Sequence, residues 1–183
     1  VHRLDKDTSG LMLVAKTEIA HLILSDMFKN HSIERNYQLL VWNVPDSNGL
    51  IDQPIGRSKF NRKKMAINLN GKKAVTHWTL LETFSNLVSL ISCKLQTGRT
   101  HQIRVHMSSI GHSLIGDKIY GGLPKKNKIQ NTMQKNIITK CKSFSRQALH
   151  SKTLTFEHPI SKKQMHFDID LPNDIRNLIN SIK

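Results

Sequence analysis

The sequence predicts a mixed α+β domain built around a largely antiparallel β-sheet with flanking helices. Several short apolar runs are separated by turn residues, which is typical of strands. Two of these runs, residues 73–84 and 87–96, are joined only by Ser85 and Asn86, as in a β-hairpin. The few segments with helical periodicity do not alternate regularly with the strands. A parallel sheet of βαβ units is therefore not expected.

The first part of the chain supplies a strand, a helix and a second strand. The apolar run at residues 11–15 has the length and composition of a buried strand. A helix is predicted after Thr17, which is a suitable N-cap, because apolar residues then recur on one helical face. A strand at 35–44 ends in a turn containing proline and glycine, and a short extended segment follows at 50–55.

The second part of the chain alternates between basic and apolar segments. Residues 56–65 read as a basic loop with one aromatic, and Thr100 is predicted to cap a helix at 101–110. Residues 124–145 are rich in lysine and asparagine with little periodicity, so a mobile surface insertion is expected. Two strands are predicted at 148–156 and 165–171, followed by a last helix that starts at Pro172.

The composition indicates a polyanion-binding protein. The 183 residues suffice for one domain, which we expect to span 1–183, and the net charge is +15. Between Glu82 and Glu157 the only acidic residue is Asp117, whereas lysine and arginine are frequent. A solvated, lysine-rich surface is the alternative. Such one-sided depletion of acidic residues favours a nucleic acid as the partner, and no obligate protein partner is expected.

Other compositional features narrow the class of protein. No apolar run reaches the length of a membrane span. Cys93 and Cys141 cannot form a disulfide framework, which predicts a reducing, cytoplasmic location. The spacing of the histidines does not place metal ligands on one helix face, and no cofactor signature is present, so neither a metal nor a cofactor is expected. Because Val1 stands where an initiator methionine would, we expect the chain to begin within a longer protein.

The string HRLDKDTSG at residues 2–10 carries the main candidate for chemistry. Asp5 lies on a polar loop that feeds the predicted strand at 11–15, and Gly10 permits a close approach of two backbones. A rigid scaffold would thus hold a loop carboxylate, which is a common setting for catalytic side chains. On composition alone, capping of a turn by Asp5 or Asp7 is the favoured interpretation.

The string HRLDKDTSG resembles the signature of the RluA family of RNA pseudouridine synthases, and the whole chain looks most like its ribosomal, C/D-like branch. Further stretches of the chain resemble the same family: ERNYQLL at 34–40, LQTGRTHQIRVH at 95–106, IGDKIYG at 115–121, QALH at 147–150 and FEHP at 156–159. The resemblance implies a pseudouridine synthase-like fold. It also implies that the strand pair and the S4-type RNA-binding domain that precede this region in the family are missing here.

The resemblance also assigns roles to individual residues. Asp5 matches the catalytic aspartate, Tyr37 the active-site tyrosine, and Arg104 the basic partner of the aspartate. Arg3 matches an arginine that fills the space vacated by the target base, and Leu149 an apolar residue that lines the uracil pocket. From these assignments we predict that Arg104 and Asp5 lie within about 4 Å of each other and are largely buried. Burial raises the pKa of the carboxyl, and the arginine should outweigh burial and keep it ionised if the contact is bidentate.

The implied reaction is the isomerisation of a uridine in RNA, most of all in 23S large-subunit ribosomal RNA. The N1–C1′ bond breaks, the uracil turns, and C5 joins C1′. Asp5 could attack C1′, remove the proton at C2′ or add to C6, and the sequence leaves these routes open. The residues expected to contact RNA phosphates are Arg57, Arg62, Lys63, Lys64, Arg99, Lys125, Lys126 and Lys128.

Three alternatives remain open on the sequence alone. One is a synthase that acts on transfer RNA instead of ribosomal RNA. Another is a non-catalytic RNA-binding module, which would have no use for Asp5 beside Arg104. The third is an RNA glycosidase, for which Asp7 is the nearest second acidic residue.

Overall fold

A computed structural model describes residues 1–62, 64–124, 129 and 131–183 of the chain. Over these residues the strands are β1 (Ser9–Gly10), β2 (Glu34–Trp42), β3 (Asn48–Asp52), β4 (Ile55–Arg57), β5 (Met65–Ile67), β6 (Val75–Phe84), β7 (Val88–Leu95), β8 (Leu149–Glu157) and β9 (Gln164–Asp168). The helices are α1 (Glu18–Lys29), α2 (Gln102–Ser109), α3 (Thr132–Ser143) and α4 (Asn173–Ile182). None of these helices has the length and apolar character needed to span a bilayer.

Most of the strands form one sheet in the order β1-β8-β2-β7-β6-β3, with β9 also paired to β8. Strand β1 runs parallel to β8, and the other pairings within the sheet are antiparallel. Strands β4 and β5 form a separate two-stranded hairpin. The predicted mixed α+β class with a largely antiparallel sheet is confirmed.

The sheet separates two apolar cores, because successive side chains along β2 point to opposite faces. Leu40 and Trp42 belong to the core that also contains α3 and α4. Leu39 and Val41 belong to the opposite core, to which α2 contributes side chains. Tyr37 lies in this second core, so α2 and Tyr37 share one face of the sheet.

The predicted strand at residues 11–15 is wrong as a paired strand. Its side chains do alternate, with Met12 and Val14 exposed and the intervening residues packed inwards. The Leu11 N–H still donates to the Ser151 carbonyl oxygen at 3.0 Å. The assigned strand nevertheless ends at β1, because the segment has no partner strand among the described residues.

The surface insertion predicted at residues 124–145 is wrong over most of its length. Residues 132–143 form α3, whose Ile137, Ile138 and Cys141 are buried against α4 and the sheet. Asn131 caps the helix by accepting a hydrogen bond from a main-chain N–H at 2.9 Å. The apolar face of α3 was not recognised in the sequence, because the solvent-exposed side of the helix carries lysines.

The start of α2 also differs from the prediction, in which Thr100 caps the helix. The N-cap is His101, in the left-handed region at φ 57°, and no side chain caps the helix. The Gln102 side-chain oxygen instead accepts a hydrogen bond from the Arg99 N–H at 2.9 Å. Buried hydrogen bonds of Gln102 thus take the place of a cap.

Candidate active site

The loop that carries Asp5 is fixed to the start of β8. Inside the loop, the Thr8 N–H donates to the Asp5 carbonyl oxygen at 3.0 Å. From outside, the Gln147 side-chain amide donates to the Lys6 carbonyl oxygen at 2.6 Å and to the Thr8 hydroxyl at 3.1 Å. Gly10 then brings β1 so close to β8 that a Cβ atom there would lie 2.3 Å from a main-chain oxygen of β8. Asp5 is therefore presented by a rigid loop, as expected.

Arg104 on α2 contacts the Asp5 carboxylate, which confirms the predicted contact. The Arg104 Nη1 donates to Asp5 Oδ2 at 3.1 Å. The side chains are 5% and 15% exposed, respectively, so the pair is largely buried. This contact uses a single nitrogen of the guanidinium.

The other two nitrogens of Arg104 are held by a second carboxylate. Nε donates to Asp117 Oδ2 at 2.7 Å, and Nη2 donates to Asp117 Oδ1 at 2.9 Å. Asp117 also accepts main-chain hydrogen bonds from Ile119 and Tyr120. The bidentate pair is thus Arg104–Asp117, and it fixes the plane in which the guanidinium meets Asp5.

Burial and pairing oppose each other in this triad. Burial acts to lower the pKa of Arg104, but hydrogen bonds and charge from Asp117, and then from Asp5, outweigh it and raise the pKa. Burial acts to raise the pKa of Asp117, but the Arg104 guanidinium and two main-chain N–H groups hold that pKa below its ordinary value. Arg104 therefore stays cationic, and Asp117 stays anionic.

The position of α2 is fixed by a buried polar chain beneath Arg104. Gln102 donates to the Val75 carbonyl oxygen and to the Thr76 hydroxyl, both at 2.9 Å. His106 lies 2.9 Å from the Thr76 hydroxyl through Nδ1 and 2.9 Å from the Gln53 carbonyl oxygen through Nε2. These contacts hold α2 against β6. They thereby fix the position of Arg104 relative to the loop of Asp5.

Asp5 and Arg104 line a cavity of about 400 Å³. One wall is apolar and includes Leu4, Tyr37 and Leu149. Tyr37 is 6% exposed, and burial raises the pKa of its phenol. The carboxylate thus stands beside an apolar wall that suits a flat, unstacked ring.

His101 stands at the mouth of this cavity. Its Nδ1 lies 2.8 Å from the Tyr120 hydroxyl, which itself accepts a hydrogen bond from the Met65 N–H at 2.8 Å. The Tyr120 hydroxyl thus joins His101 to the β5 backbone. Burial lowers the pKa of His101, which favours the neutral form of its imidazole. Sequence reasoning assigned no role to His101 or Tyr120.

The structure brings together the residues expected to act on the base. Tyr37, Arg104 and Leu149 line the same cavity as Asp5, and Arg3 lines it as an exposed side chain. Among the residues expected to bind phosphates, Arg99 also lines the cavity.

The other residues expected to bind phosphates divide into two groups. Arg57, Arg62 and Lys64 lie on or next to the β4–β5 hairpin, where Arg57 Nη1 donates to the Arg62 carbonyl oxygen at 3.1 Å. The Met65–Tyr120 hydrogen bond ties this hairpin to the cavity. Lys63, Lys125, Lys126 and Lys128 lie outside the described residues.

Asp117 is the functional candidate that sequence reasoning missed. It was part of a quoted motif but carried no assigned role. A signal was present, because Asp117 is the only acidic residue between Glu82 and Glu157. A single carboxylate kept within such a basic stretch points to a buried partner. Among the described residues, no group of histidine, cysteine and acidic side chains could hold a metal ion.

A family model described as RNA pseudouridylate synthase matches residues 1–109. The chain belongs to this family. The matched region contains Asp5, Tyr37 and Arg104, whereas Asp117 and Leu149 lie beyond its end.

Relatives named for the same activity match the full length of the chain. It is 48% identical over 184 residues to ribosomal large subunit pseudouridine synthase D of Zymomonas mobilis, covering 100% of this chain and 55% of that protein. It is 44% identical over 183 residues to the protein of the same name from Pseudomonas aeruginosa, covering 100% and 56%. The chain thus spans about half the length of the curated relatives it matches.

A solved structure of a family member has the same fold. The human RNA pseudouridylate synthase domain containing 1 superposes with a TM-score of 0.73 at 27% identity. The superposition covers 92% of this chain and 67% of the human chain. A second human protein, RNA pseudouridylate synthase domain containing 4, has a TM-score of 0.79 at 23% identity and supports the fold.

Proposed function

We propose that residues 1–183 form one catalytic domain that isomerises uridine to pseudouridine in RNA, with Asp5 as the catalytic residue. The observation that carries this proposal is the buried contact between Arg104 and Asp5 at 3.1 Å, at the edge of a cavity with an apolar wall. Family membership and the names of the relatives support the same reaction.

Each part of the cavity has a task in this reaction. The target uridine leaves the RNA stack, at a cost of a few kcal/mol, and its ring lies against Tyr37 and Leu149. Asp5 faces the ribose, and Arg104 offsets the loss of water around its carboxylate. Arg3, at the exposed rim, takes the space that the base leaves in the RNA.

The substrate we propose is large-subunit ribosomal RNA, in agreement with the names of the relatives. A cytoplasmic location is part of this proposal. The excess of positive charge, +15 over the chain, suits a partner recognised largely through its phosphates. The β4–β5 hairpin is joined through Met65 and Tyr120 to His101, which lines the cavity, and its cations would contact RNA beyond the target nucleotide.

Release of tritium from RNA labelled at uridine C5 tests the proposed reaction. Isomerisation replaces the C5–H bond by a C5–C1′ bond, so the wild-type protein should release tritium while the uracil stays attached to the RNA. Asp5→Asn should abolish the release and leave RNA affinity nearly unchanged, because many phosphate contacts remain.

Asp7→Asn is the matched control for Asp5→Asn. Asp7 lies on the same loop, is exposed, and has a left-handed φ of 69° that asparagine tolerates. It should retain activity. Turnover by Asp5→Asn within about tenfold of wild type would rule out Asp5 as the catalytic residue. Release of free uracil, with loss upon Asp7→Asn, would instead identify an RNA glycosidase.

A further inference from the structure

Arg35 is a buried cation without a counter-ion among the described residues. It lies on β2, two residues before Tyr37, and is 6% exposed. Its Nε has no hydrogen-bond partner in the described part of the chain. Its guanidinium carbon lies 5.3 Å from the centroid of the Phe28 ring, which is a cation–π contact.

Such an arrangement destabilises the protein unless an anion joins it. Removing a guanidinium from water without a partner carries a large desolvation penalty, and a cation–π contact returns only a small part of it. The effect is visible in the pKa of Arg35, which burial lowers. By contrast, Arg104 in the same cavity contacts two carboxylates.

The surroundings of Arg35 leave room for that anion. Arg35 lines the cavity that contains Asp5. Gly98 lies directly over the guanidinium, and a Cβ atom at this position would lie 2.8 Å from Arg35 Nη1. Any residue with a Cβ atom at this position would push the guanidinium aside, so Gly98 is what allows Arg35 to keep its place in the wall of the cavity.

The positive charge of the cavity indicates which kind of anion would bind Arg35. Arg3, Lys29 and Arg99 line it together with Arg35, and Asp5 is the only acidic residue among the described lining residues. Asp5 is engaged by Arg104. We infer that Arg35 binds a backbone phosphate of the RNA, next to the nucleotide that enters the cavity. This inference rests on the proposed function, because it takes RNA as the ligand.

The inference predicts an uncommon combination of effects for Arg35→Met, which keeps the length of the side chain without its charge. The RNA-free protein should be at least as stable as wild type, with an equal or higher urea midpoint, because an unpaired buried charge is removed. RNA binding should weaken. A lower urea midpoint would show that Arg35 serves the folded structure, and would overturn the inference.

The phosphate itself is identified by removing its charge from the RNA. The probe is a short single-stranded RNA of cytidines with one central uridine, made with a methylphosphonate at one backbone position at a time. For wild type, one position next to the uridine should weaken binding by about tenfold. For Arg35→Gln the same substitution should have little further effect, since the contact is already lost.

The control variant is Arg176→Gln, which removes an exposed arginine on α4. It should keep the methylphosphonate effect of wild type. Equal sensitivity of wild type and Arg35→Gln at every backbone position would overturn the inference. Because binding is measured without turnover, this result stands apart from the tritium assay. The inferred phosphate contact can therefore be disproved while isomerisation is observed. It can also be supported while isomerisation is absent.

Discussion

Asp117 binds two nitrogens of the Arg104 guanidinium and leaves the third for Asp5. The two distances to Asp117, 2.7 and 2.9 Å, are shorter than the 3.1 Å contact to Asp5. Asp117 therefore acts as a positioning residue, since it sets the orientation of the group that contacts the candidate catalytic carboxylate.

Asp117→Asn should destabilise the protein by on the order of 3 kcal/mol, because it leaves a buried guanidinium with one weaker partner. Urea unfolding measures this loss. The control is Asp174→Asn, which breaks the similarly bidentate pair Arg146–Asp174 at a position 46% exposed. That variant should lose less than about 1 kcal/mol. Equal losses of unfolding free energy in the two variants would show that the buried Arg104–Asp117 pair stabilises the protein no more than the Arg146–Asp174 pair does.

The same Asp117→Asn variant should lower kcat more than it raises KM. Its substitution misplaces Arg104 in relation to Asp5, whereas the cations that bind RNA are untouched. A rise in KM at unchanged kcat would place Asp117 in RNA binding instead of in the positioning of Arg104.

Arg104→Lys should retain part of the activity, and Arg104→Ala should retain little. A lysine supplies a point charge that can pair with one carboxylate, but it lacks the planar fork that joins two. Alanine leaves Asp5 without its cation beside the apolar wall and removes both guanidinium hydrogen bonds from the buried Asp117. The tritium assay measures the order of activities, and a lysine variant no better than alanine would contradict this account.

Tyr120→Phe distinguishes the role of the Tyr120 hydroxyl from the role of its ring. The phenyl ring still covers the Arg104 guanidinium, which lies 5.1 Å from the ring centroid, whereas the hydroxyl that joins Met65 and His101 is lost. KM for RNA should therefore rise severalfold with a smaller change in kcat. Tyr120→Leu, which also removes the ring, should lower kcat further. If phenylalanine and leucine behave alike, the hydroxyl has no separate role.

Acid should destabilise the protein below about pH 6.5 in part through His106. This imidazole is fully buried, and burial lowers its pKa from the ordinary value of 6.5. Between the two pKa values the unfolded chain binds a proton that the folded chain excludes, so the free energy of unfolding falls as pH falls. His106→Asn should make this fall shallower in urea titrations, whereas the exposed His21→Gln should not.

The contact between Asp5 and Arg104 could be predicted from sequence because two motifs of fixed residue types named both partners. The isolation of Asp117 in a basic stretch pointed to a buried partner, but nothing local shows that the partner is an arginine 13 residues earlier. Arg35 was passed over for a similar reason. A basic residue on a strand is ordinary, and its isolation appears only once β2, α1 and Gly98 are placed together.

Local signals failed where long-range packing decided the structure. Thr100 is a good N-cap by residue type, but the buried hydrogen bonds of Gln102 fix the start of α2. Residues 132–143 form a helix although most of them are polar, because a few apolar residues contact α4. The run at 11–15 has strand character, but pairing also requires a neighbour.

Strand β8 has a consequence for the order in which the site forms during synthesis. The loop of Asp5 is held by residues 146–151, and Tyr37 pairs through its backbone with Ser151. The nascent chain therefore contains Asp5, Tyr37 and Arg104 before β8 exists to hold the loop of Asp5 in place. The loop of Asp5 cannot be fixed until β8, some 140 residues later in the chain, has been synthesised. Contacts between residues so far apart in sequence form slowly. A ribosome-bound intermediate would have its candidate catalytic residues and no working site.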